Sequence, residues 1–219
     1  MREIQRINEE LKDTYEQLEK AYLESVQTIR YTVEAKDPYT RGHSDRVSAY
    51  SVLIGEKLGL SEKDLKTLRI GGLFHDVGKI GVPDAILQKE SRLTDEEYSE
   101  IKNHPSIGAH ILSTASIFKE IIPIVKHHHE RYDGKGYPSQ LKGDEIPYFA
   151  RIAAIADSFD AMTSKRTYRN SLPIEVVIEE FKKGRGTQFD PELDDVFLDI
   201  LEHLSLIHIW RCRRIALCR

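Results

Sequence analysis

Cysteine is nearly absent from this sequence. The two cysteines, Cys212 and Cys218, both lie in the last eight residues. The rest of the chain therefore has neither a disulfide framework nor a thiolate metal site. The sequence also lacks an apolar run of membrane-spanning length, and its first residues, Met1-Arg2-Glu3, contain no signal-peptide core. From these absences we expect a cytoplasmic protein.

A large excess of charge of either sign is also missing. The chain has 32 Lys and Arg against 36 Asp and Glu, which gives a formal net charge of −4. Such a charge provides no overall attraction to an anionic membrane or to a nucleic acid polymer, and we expect no nucleic acid partner. An anionic ligand must therefore be bound by local chemistry. The length of 219 residues, 40% of them hydrophobic, predicts one domain with or without an appendage.

Apolar residues recur at the spacing of α-helices throughout the middle of the chain. Thr94 followed by Glu97 has the spacing of a capping box and predicts a helix start. Pro105 predicts a helix break directly after His104. The sequence shows no alternating strand pattern with hairpin turns. It therefore predicts an all-α helical bundle, which we assign to residues 34–204.

Residues 1 to about 36 are predicted to form one long polar helix, and residues 1–33 are assigned to a linker or signalling segment outside the bundle. Ile4, Leu11 and Leu18 recur every seven residues, as in a coiled coil. Two interpretations of this helix remain open. It is either a signalling linker from an upstream sensor or receiver domain, able to pair with its copy in a homodimer, or an amphipathic helix packed on its own domain.

Residues 205–219 differ in composition from the rest of the chain. They contain both cysteines, the single tryptophan and four arginines, but no acidic residue. One interpretation is a basic amphipathic tail that contacts a membrane or a partner. We favour the other, a non-native or disordered end, and assign no function to it.

Imidazoles and carboxylates are concentrated at a few places in the predicted bundle. His75-Asp76 ends an apolar helix, where adjacent side chains point about 100° apart and can approach one metal from two directions. Asp157 lies among small apolar residues, where a carboxylate is costly to bury unless it is paired or metal-bound. Four more imidazoles belong to His43, His104, His128 and His129.

Each of these residues alone is compatible with a structural role, such as a core histidine, a solvated helix end or an ion pair. The whole set is harder to explain in that way, because every structural role would have to hold independently. Imidazoles and carboxylates without thiolates suit iron, manganese, zinc or nickel. The set therefore predicts a metal centre.

The order of these residues resembles a known family. The scattered H…HD…D ligands of the HD phosphohydrolase superfamily are similar to four residues here, His43, His75, Asp76 and Asp157. Residues 75–84 followed by residues 128–138, which end in Gly136-Tyr137-Pro138, resemble the HD-GYP branch of that superfamily. The likeness extends from about residue 34 to residue 203.

The resemblance implies a helical bundle that holds two divalent metal ions, with iron or manganese expected first. One metal would be held by His43, His75, Asp76 and Asp157. The second would be held by His104, His128 and His129, with Asp76 bridging the two. Family members with a third metal use a glutamate at the position of Tyr39, so we expect two metals here.

The resemblance also implies a catalytic role for Asp76 and Lys79. Lys79, one turn after Asp76, would place its ammonium group beside the scissile phosphate. The alternative is a lysine that stabilises a helix C-terminus. Gly136 would allow close backbone approach and Tyr137 would offer its ring to a purine, against the alternative of a plain tight turn.

Arg166 and Arg169 resemble ligand-binding arginines of the family. They are three residues apart and would share a face towards the second phosphate or a guanine. The alternative is a pair of solvated surface arginines. Thr167 stands where the family usually has proline, and a more mobile segment is expected to follow from this departure.

The function implied by the resemblance is metal-dependent hydrolysis of cyclic di-GMP to linear pGpG in bacterial second-messenger signalling, with cleavage on to GMP left open. One alternative is a module that binds a cyclic dinucleotide or a protein partner without turnover. Another is a hydrolase of a hybrid cyclic dinucleotide. Every expected ligand position is filled in this sequence, which favours an enzyme.

Overall fold

The chain folds into α-helices, as predicted. The computed structural model describes residues 2–36, 42–89, 91–164 and 171–206. The α-helices in these ranges are α1 Arg2–Lys36, α2 His43–Lys57, α3 Glu62–Phe74, α4 Asp84–Leu87, α5 Asp95–Lys102, α6 His104–Ser113, α7 Ile122–His127, α8 Tyr148–Thr163, α9 Ile174–Gly184 and α10 Pro191–Leu206. Short 3-10 helices cover Val77–Gly81, Ser116–Phe118 and Gly143–Glu145. Within the described ranges no β-strand forms, so the all-α class is confirmed.

Local sequence signals place some of the helix boundaries. The capping box of Thr94 and Glu97 is present at the start of α5, with both reciprocal hydrogen bonds. The predicted break near Pro105 is displaced by one residue. α5 ends at Lys102 and His104 already begins α6, because proline is tolerated in the first turn of a helix, where its missing N–H has no intrahelical partner.

Two hydrophobic clusters form the core. The larger cluster includes Phe159, Phe181 and Phe197, one from each of α8, α9 and α10. The smaller cluster includes Phe74 at the end of α3 and Val125 in α7. Helix α2 packs against α3 and α8, and α7 packs against the same two helices. The ends of these helices therefore meet in one region of the molecule.

Glycine allows two of the closest approaches around this region. A β-carbon on Gly72 of α3 would lie 2.6 Å from the Cα of Ser48 in α2. A β-carbon on Gly78 would overlap the carbonyl oxygen of His104 at the start of α6. The helix ends that carry His75, Asp76 and His104 can approach one another because Gly72 and Gly78 have no side chain.

Helix α1 is continuous to Lys36, where the sequence predicted its end. Its last residue contacts the domain, since the Lys36 ammonium donates to the carbonyl oxygen of Ile80 at 2.5 Å and lies 3.4 Å from Asp84 Oδ1. None of the helices in the described ranges is long and apolar enough to cross a membrane. Most of the proposed tail, residues 207–219, lies outside the described residues.

Candidate metal centre

The predicted ligands are carried by the ends of several helices and the middle of one. His43 is the first residue of α2, and His75 caps the C-terminus of α3. His104 is the first residue of α6. His128 caps the C-terminus of α7 and His129 follows it. Asp157 alone projects from within a helix, α8.

One cluster consists of His43, His75 and Asp157, whose ligand atoms all lie within 4.8 Å of one another. His43 Nε2 lies 3.2 Å from His75 Nε2 and 3.3 Å from Asp157 Oδ1. Both imidazoles are buried, with relative exposures of 4% and 1%. A cation between these atoms would have two nitrogen ligands and one oxygen ligand.

The second cluster consists of Asp76, His104, His128 and His129, again with ligand atoms within 4.8 Å of one another. His104 Nε2 lies 3.4 Å from His128 Nε2 and 3.2 Å from Asp76 Oδ1. The other carboxylate oxygen of Asp76, Oδ2, lies 3.4 Å from His75 Nε2 in the first cluster. Asp76 therefore faces both clusters, and the structure brings all seven predicted ligands together.

Hydrogen bonds to the backbone fix the tautomer of several imidazoles. Nδ1 donates to a carbonyl oxygen in each of three pairs: His75 to Gly72 at 2.8 Å, His104 to Ile101 at 2.7 Å and His128 to Val125 at 2.9 Å. Because a carbonyl oxygen can only accept, each Nδ1 carries a proton, and it is Nε2 that is left to present a lone pair to a metal.

His43 is held by a carboxylate that sequence analysis did not identify. Its Nδ1 donates to Asp160 Oδ2 at 2.7 Å. Asp160 is buried and also accepts hydrogen bonds from Nε of Arg46 at 2.5 Å and from Nη2 at 3.0 Å. The one available signal is that Asp160 follows Asp157 by three residues, which places the two carboxylates on neighbouring positions of one helix face.

The positions of the Nε2 atoms indicate whether the residues of the two clusters fit metal ions. The Nε2 lone pairs of His104 and His128 face each other at 3.4 Å, and the Nε2 atoms of His43 and His75 lie 3.2 Å apart beside the carboxylate of Asp157. Lone pairs at such distances repel unless a cation attracts both. Neutral imidazoles and carboxylates are the ligands preferred by divalent iron, manganese and zinc. The two clusters are therefore consistent with a binuclear metal site.

Burial lowers the pKa of some histidines in the two clusters, whereas neighbouring carboxylates raise the pKa of another. Burial lowers the pKa of His129 to about 4 and that of His128 well below its usual range. Burial also opposes charge on His43, but hydrogen bonds to Asp157 and Asp160 outweigh it and raise its pKa to about 9. The negative charge that raises the pKa of His43 also attracts a metal cation.

Lys79 lies beside this centre, in the 3-10 helix Val77–Gly81. Its ammonium group is 2.7 Å from Asp76 Oδ2. Burial alone would raise the pKa of Asp76, but Lys79 and then His75 hold it well below the usual carboxyl range. Asp76 is therefore ionised and Lys79 adds a positive charge at the edge of the two clusters.

The Gly136-Tyr137 segment also adjoins the centre. A β-carbon on Gly136 would overlap backbone atoms of Arg131 and Glu130, so only glycine fits there. The ring of Tyr137 lies against that of His129, with 4.8 Å between the ring centroids. The loop therefore forms one wall of the site.

The sequence model of the HD domain family matches residues 27–193. This chain belongs to the HD domain family. The HD-GYP resemblance seen in the sequence is confirmed by its relatives. The same all-α fold occurs in an HDG"Y"P protein from Bdellovibrio bacteriovorus, at 21% identity and a TM-score of 0.62 over 81% of this chain and 64% of that one.

The chain is similar in sequence to two curated phosphodiesterases. A 3'3'-cGAMP-specific phosphodiesterase of Vibrio cholerae is 41% identical over 80% of this chain and 38% of its own length. A cyclic di-GMP phosphodiesterase of Thermotoga maritima is 38% identical over 84% of this chain and 51% of its own length. The chain thus spans roughly two fifths to one half of these relatives.

A solved structure has a similar fold and a related sequence. It is a cyclic GMP-AMP specific phosphodiesterase of Vibrio cholerae, which is 36% identical with a TM-score of 0.53. The match covers 84% of this chain and 42% of that one.

A second buried carboxylate of the HD domain was also missed by sequence analysis. Glu130 accepts hydrogen bonds from the backbone N–H of Ser139 at 2.7 Å and of Leu141 at 3.2 Å. Its relative exposure is 4%. Glu130 therefore fixes the loop that carries Tyr137. Its position directly after the histidine run was visible in the sequence, but its distant partners were not.

Four residues discussed from the sequence lie outside the described part of the HD domain, one of them Thr167 between the two arginines. Arg166 and Arg169, the predicted ligand-binding arginines, fall between the end of α8 and residue 171. Tyr39, at the position of the third-metal glutamate, falls between α1 and residue 42. Their roles stay predictions.

Proposed function

We propose that this HD domain is a metal-dependent phosphodiesterase that hydrolyses cyclic di-GMP to linear pGpG, with GMP as the product if both phosphodiester bonds are cut. The observation that carries the proposal is the position of Asp76, whose two oxygens face two separate clusters of metal ligands. The relatives that act on cyclic dinucleotides by name support the choice of substrate.

Two divalent cations, iron or manganese, would occupy the clusters. His43, His75 and Asp157 would hold one ion, His104, His128 and His129 the other, and Asp76 both. When bound, such a pair of ions activates water and neutralises the charge of the phosphodiester. The chain's own residues provide the ligands in fixed tautomers, which keeps the Nε2 atoms directed inward.

Lys79 and Asp76 are proposed to act on the reacting phosphate. The Lys79 ammonium is half-buried and lies at the edge of the clusters, so it can offset negative charge that develops on the phosphate oxygens. Its contact with Asp76 also orients that carboxylate between the two sets of ligands. Gly136 and Tyr137 form the adjoining wall, and Arg166 and Arg169 are proposed to bind the second phosphate or a guanine.

A second candidate substrate is 3'3'-cGAMP. The relative at 41% identity and the solved structure at 36% identity are both named as specific for it. A binding module without turnover is the third candidate. The complete set of seven clustered ligands argues against that candidate, because binding alone does not require a binuclear centre.

The test is product analysis with manganese-loaded protein supplied with cyclic di-GMP or with 3'3'-cGAMP in parallel. We expect linear product from cyclic di-GMP at the higher kcat/KM. Asp76→Asn should lose this turnover, whereas the same substitution at Asp95, an exposed residue in the first turn of α5, should retain it. Faster cleavage of 3'3'-cGAMP would favour the second candidate, and tight binding of either nucleotide without product would favour the binding module.

A further inference from the structure

Two tyrosines and one lysine form a small group next to the metal centre. The ammonium group of Lys102 lies 4.4 Å from the ring centroid of Tyr98 and 5.8 Å from that of Tyr137. Tyr98 and Lys102 are one turn apart in α5, whereas Tyr137 comes from the loop after α7. We call these three residues the lysine–tyrosine cluster.

The lysine–tyrosine cluster adjoins the metal ligands on two sides. The tilted rings of Tyr137 and His129 pack against each other, with 4.8 Å between their centroids. Lys102 is the last residue of α5, two positions before His104, which begins α6. A nucleotide whose phosphate lies between the two metal clusters would therefore have its base or sugar within reach of these side chains.

The ammonium group of Lys102 faces aromatic rings rather than a carboxylate of the described residues. Lys102 is half-buried, and none of the carboxylates in the described ranges lies within ion-pair distance of its ammonium group. Its neighbours are the faces of two aromatic rings. The cluster thus offers N–H and O–H donors and aromatic surface, without an anionic acceptor.

An ammonium donor beside aromatic rings matches guanine better than adenine. Guanine presents two acceptors on one edge, O6 and N7, and a lysine ammonium can donate to both. Adenine presents N7 beside an N6 amino group, which is a donor and faces a cation unfavourably. Tyr98 is 47% exposed, and its ring provides a surface on which a flat base can stack.

We propose that Lys102 is a specificity-determining residue, which donates to the O6 and N7 edge of a guanine held beside Tyr98 and Tyr137. The inference rests on the proposed function in one respect, that a cyclic dinucleotide binds at the metal centre. It adds the contact that distinguishes guanine from adenine. A substrate with two guanines has a guanine at this position in either orientation, whereas a substrate with two adenines never does.

The experiment compares cyclic di-GMP with cyclic di-AMP on the manganese-loaded protein. Lys102→Met keeps the length and apolar contacts of the side chain but removes the donors. We expect it to lower kcat/KM for cyclic di-GMP about tenfold, as for the loss of one base contact, and to change kcat/KM for cyclic di-AMP less than about twofold. Lys102→Arg should restore most of the preference. Lys119→Met, at an exposed position, is the matched control.

Equal losses on both nucleotides would overturn the inference, because they would indicate a phosphate contact, and no loss on either would show a lysine without a role in recognition. Binding of the hydrolysis-resistant phosphorothioate analogues of both nucleotides separates this inference from the proposed function. If the unsubstituted protein binds the guanine analogue more tightly, and Lys102→Met removes that difference, the inference holds even without turnover. If the unsubstituted protein binds neither analogue, both proposals fail.

Discussion

Asp160 determines how His43 is presented to the metal centre. It accepts the Nδ1 proton of His43 at 2.7 Å and is itself held by Arg46. Carboxylates in this position orient a ligating imidazole and increase its basicity, and their loss commonly weakens metal affinity by about 10- to 100-fold.

We expect Asp160→Asn to lower the affinity for manganese by about tenfold or more, since the neutral amide weakens the bond to His43. Metal titration monitored by calorimetry measures this directly. The same substitution at Asp195, which is exposed and paired with Arg185, is the control and should bind manganese normally. Unchanged affinity in Asp160→Asn would contradict a positioning role.

Asp194 is a buried carboxylate far from any predicted ligand in the sequence. Its relative exposure is 0%, and neither of its side-chain oxygens has a hydrogen-bond partner among the described residues. Burial, with a further contribution from Asp195, raises its pKa to about 7. Since the unfolded chain has a carboxyl pKa near 4, ionisation of Asp194 destabilises the fold as the pH rises from about 4 through about 7.

Asp194→Asn should therefore remove a pH-dependent loss of stability. Between pH 5 and pH 8 we expect the unfolding free energy of the unsubstituted protein to fall relative to that of the variant by about 1–3 kcal/mol. Urea denaturation of both proteins at the two pH values provides the comparison. Parallel pH dependence of the two proteins would show that Asp194 does not titrate in this range.

The sequence predicted the residues that belong to a recognisable motif, but it did not predict the residues that position them. All seven predicted ligands are brought together, although their role as ligands stays a prediction. Asp160 was missed because its partner His43 is 117 residues away in the sequence. Glu130 was missed because its partners are backbone N–H groups of a loop, which carry no sequence signal.

Among the elements, the 3-10 helix Val77–Gly81 has the tightest packing constraint near the metal centre. It follows Asp76, carries Lys79 and lies against the start of α6. At Gly78 there is no room for a β-carbon, because the backbone of His104 and Gly108 occupies the space.

Gly78→Ala should separate this 3-10 helix from α6, and with it Asp76 from His104. We expect destabilisation of about 1–3 kcal/mol from overpacking and weaker manganese binding. Gly81→Ala in the same helix is the matched control, because the atoms nearest to a β-carbon there belong to the side chain of Ile107, at 3.0 Å or more, and not to backbone. Thermal unfolding measures the stability of the two variants, and metal titration measures their affinity for manganese. Equal stability and equal affinity in the two variants would contradict a special packing requirement at Gly78.

Helix α1 keeps its apolar stripe exposed. Ile4, Leu11 and Leu18 have relative exposures of 66%, 65% and 67%. Tyr15 and Leu18 also line a cavity of about 370 Å³ against α3 and the segment before α7, so contact with the helix's own domain is partial. Of the two interpretations, pairing with a second copy accounts better for the exposed residues.

We expect the protein to form a homodimer through α1 and Leu11→Lys/Leu18→Lys to abolish it, because like charges would replace the apolar seam. Sedimentation equilibrium at about 10–100 μM protein measures the association state. As a control, Lys12→Gln/Lys20→Gln changes exposed charged positions of the same helix. A monomeric unsubstituted protein, or a variant that still dimerises, would contradict pairing through this stripe.

Helix identities followed from local signals, whereas exact ends depended on packing. The capping box at Thr94 predicted the start of α5 without knowledge of the fold. The break near Pro105 was displaced to Asn103, because the first turn of α6 accommodates the proline and places His104 inward. The close approach at Gly72 depends on Ser48 in another helix, and its necessity was therefore not visible in the sequence.

For the whole molecule, the all-α class and the family were predictable because helical spacing and the family motifs extend over most of the chain. The chain spans 38% and 51% of the two curated relatives. We propose that an upstream sensor or receiver domain controls the activity through α1. The choice between cyclic di-GMP and 3'3'-cGAMP was not predictable, because relatives named for either substrate match this chain at similar identities, 38% and 41%.

The most direct test of this account is cyclic di-GMP turnover by protein purified without oxygen, with iron and manganese counted on the same sample. We predict linear product, about two metal ions per chain, and loss of turnover when a chelator removes them. Full metal occupancy without cleavage of any cyclic dinucleotide, or cleavage that persists after the metal is removed, would contradict the central claim.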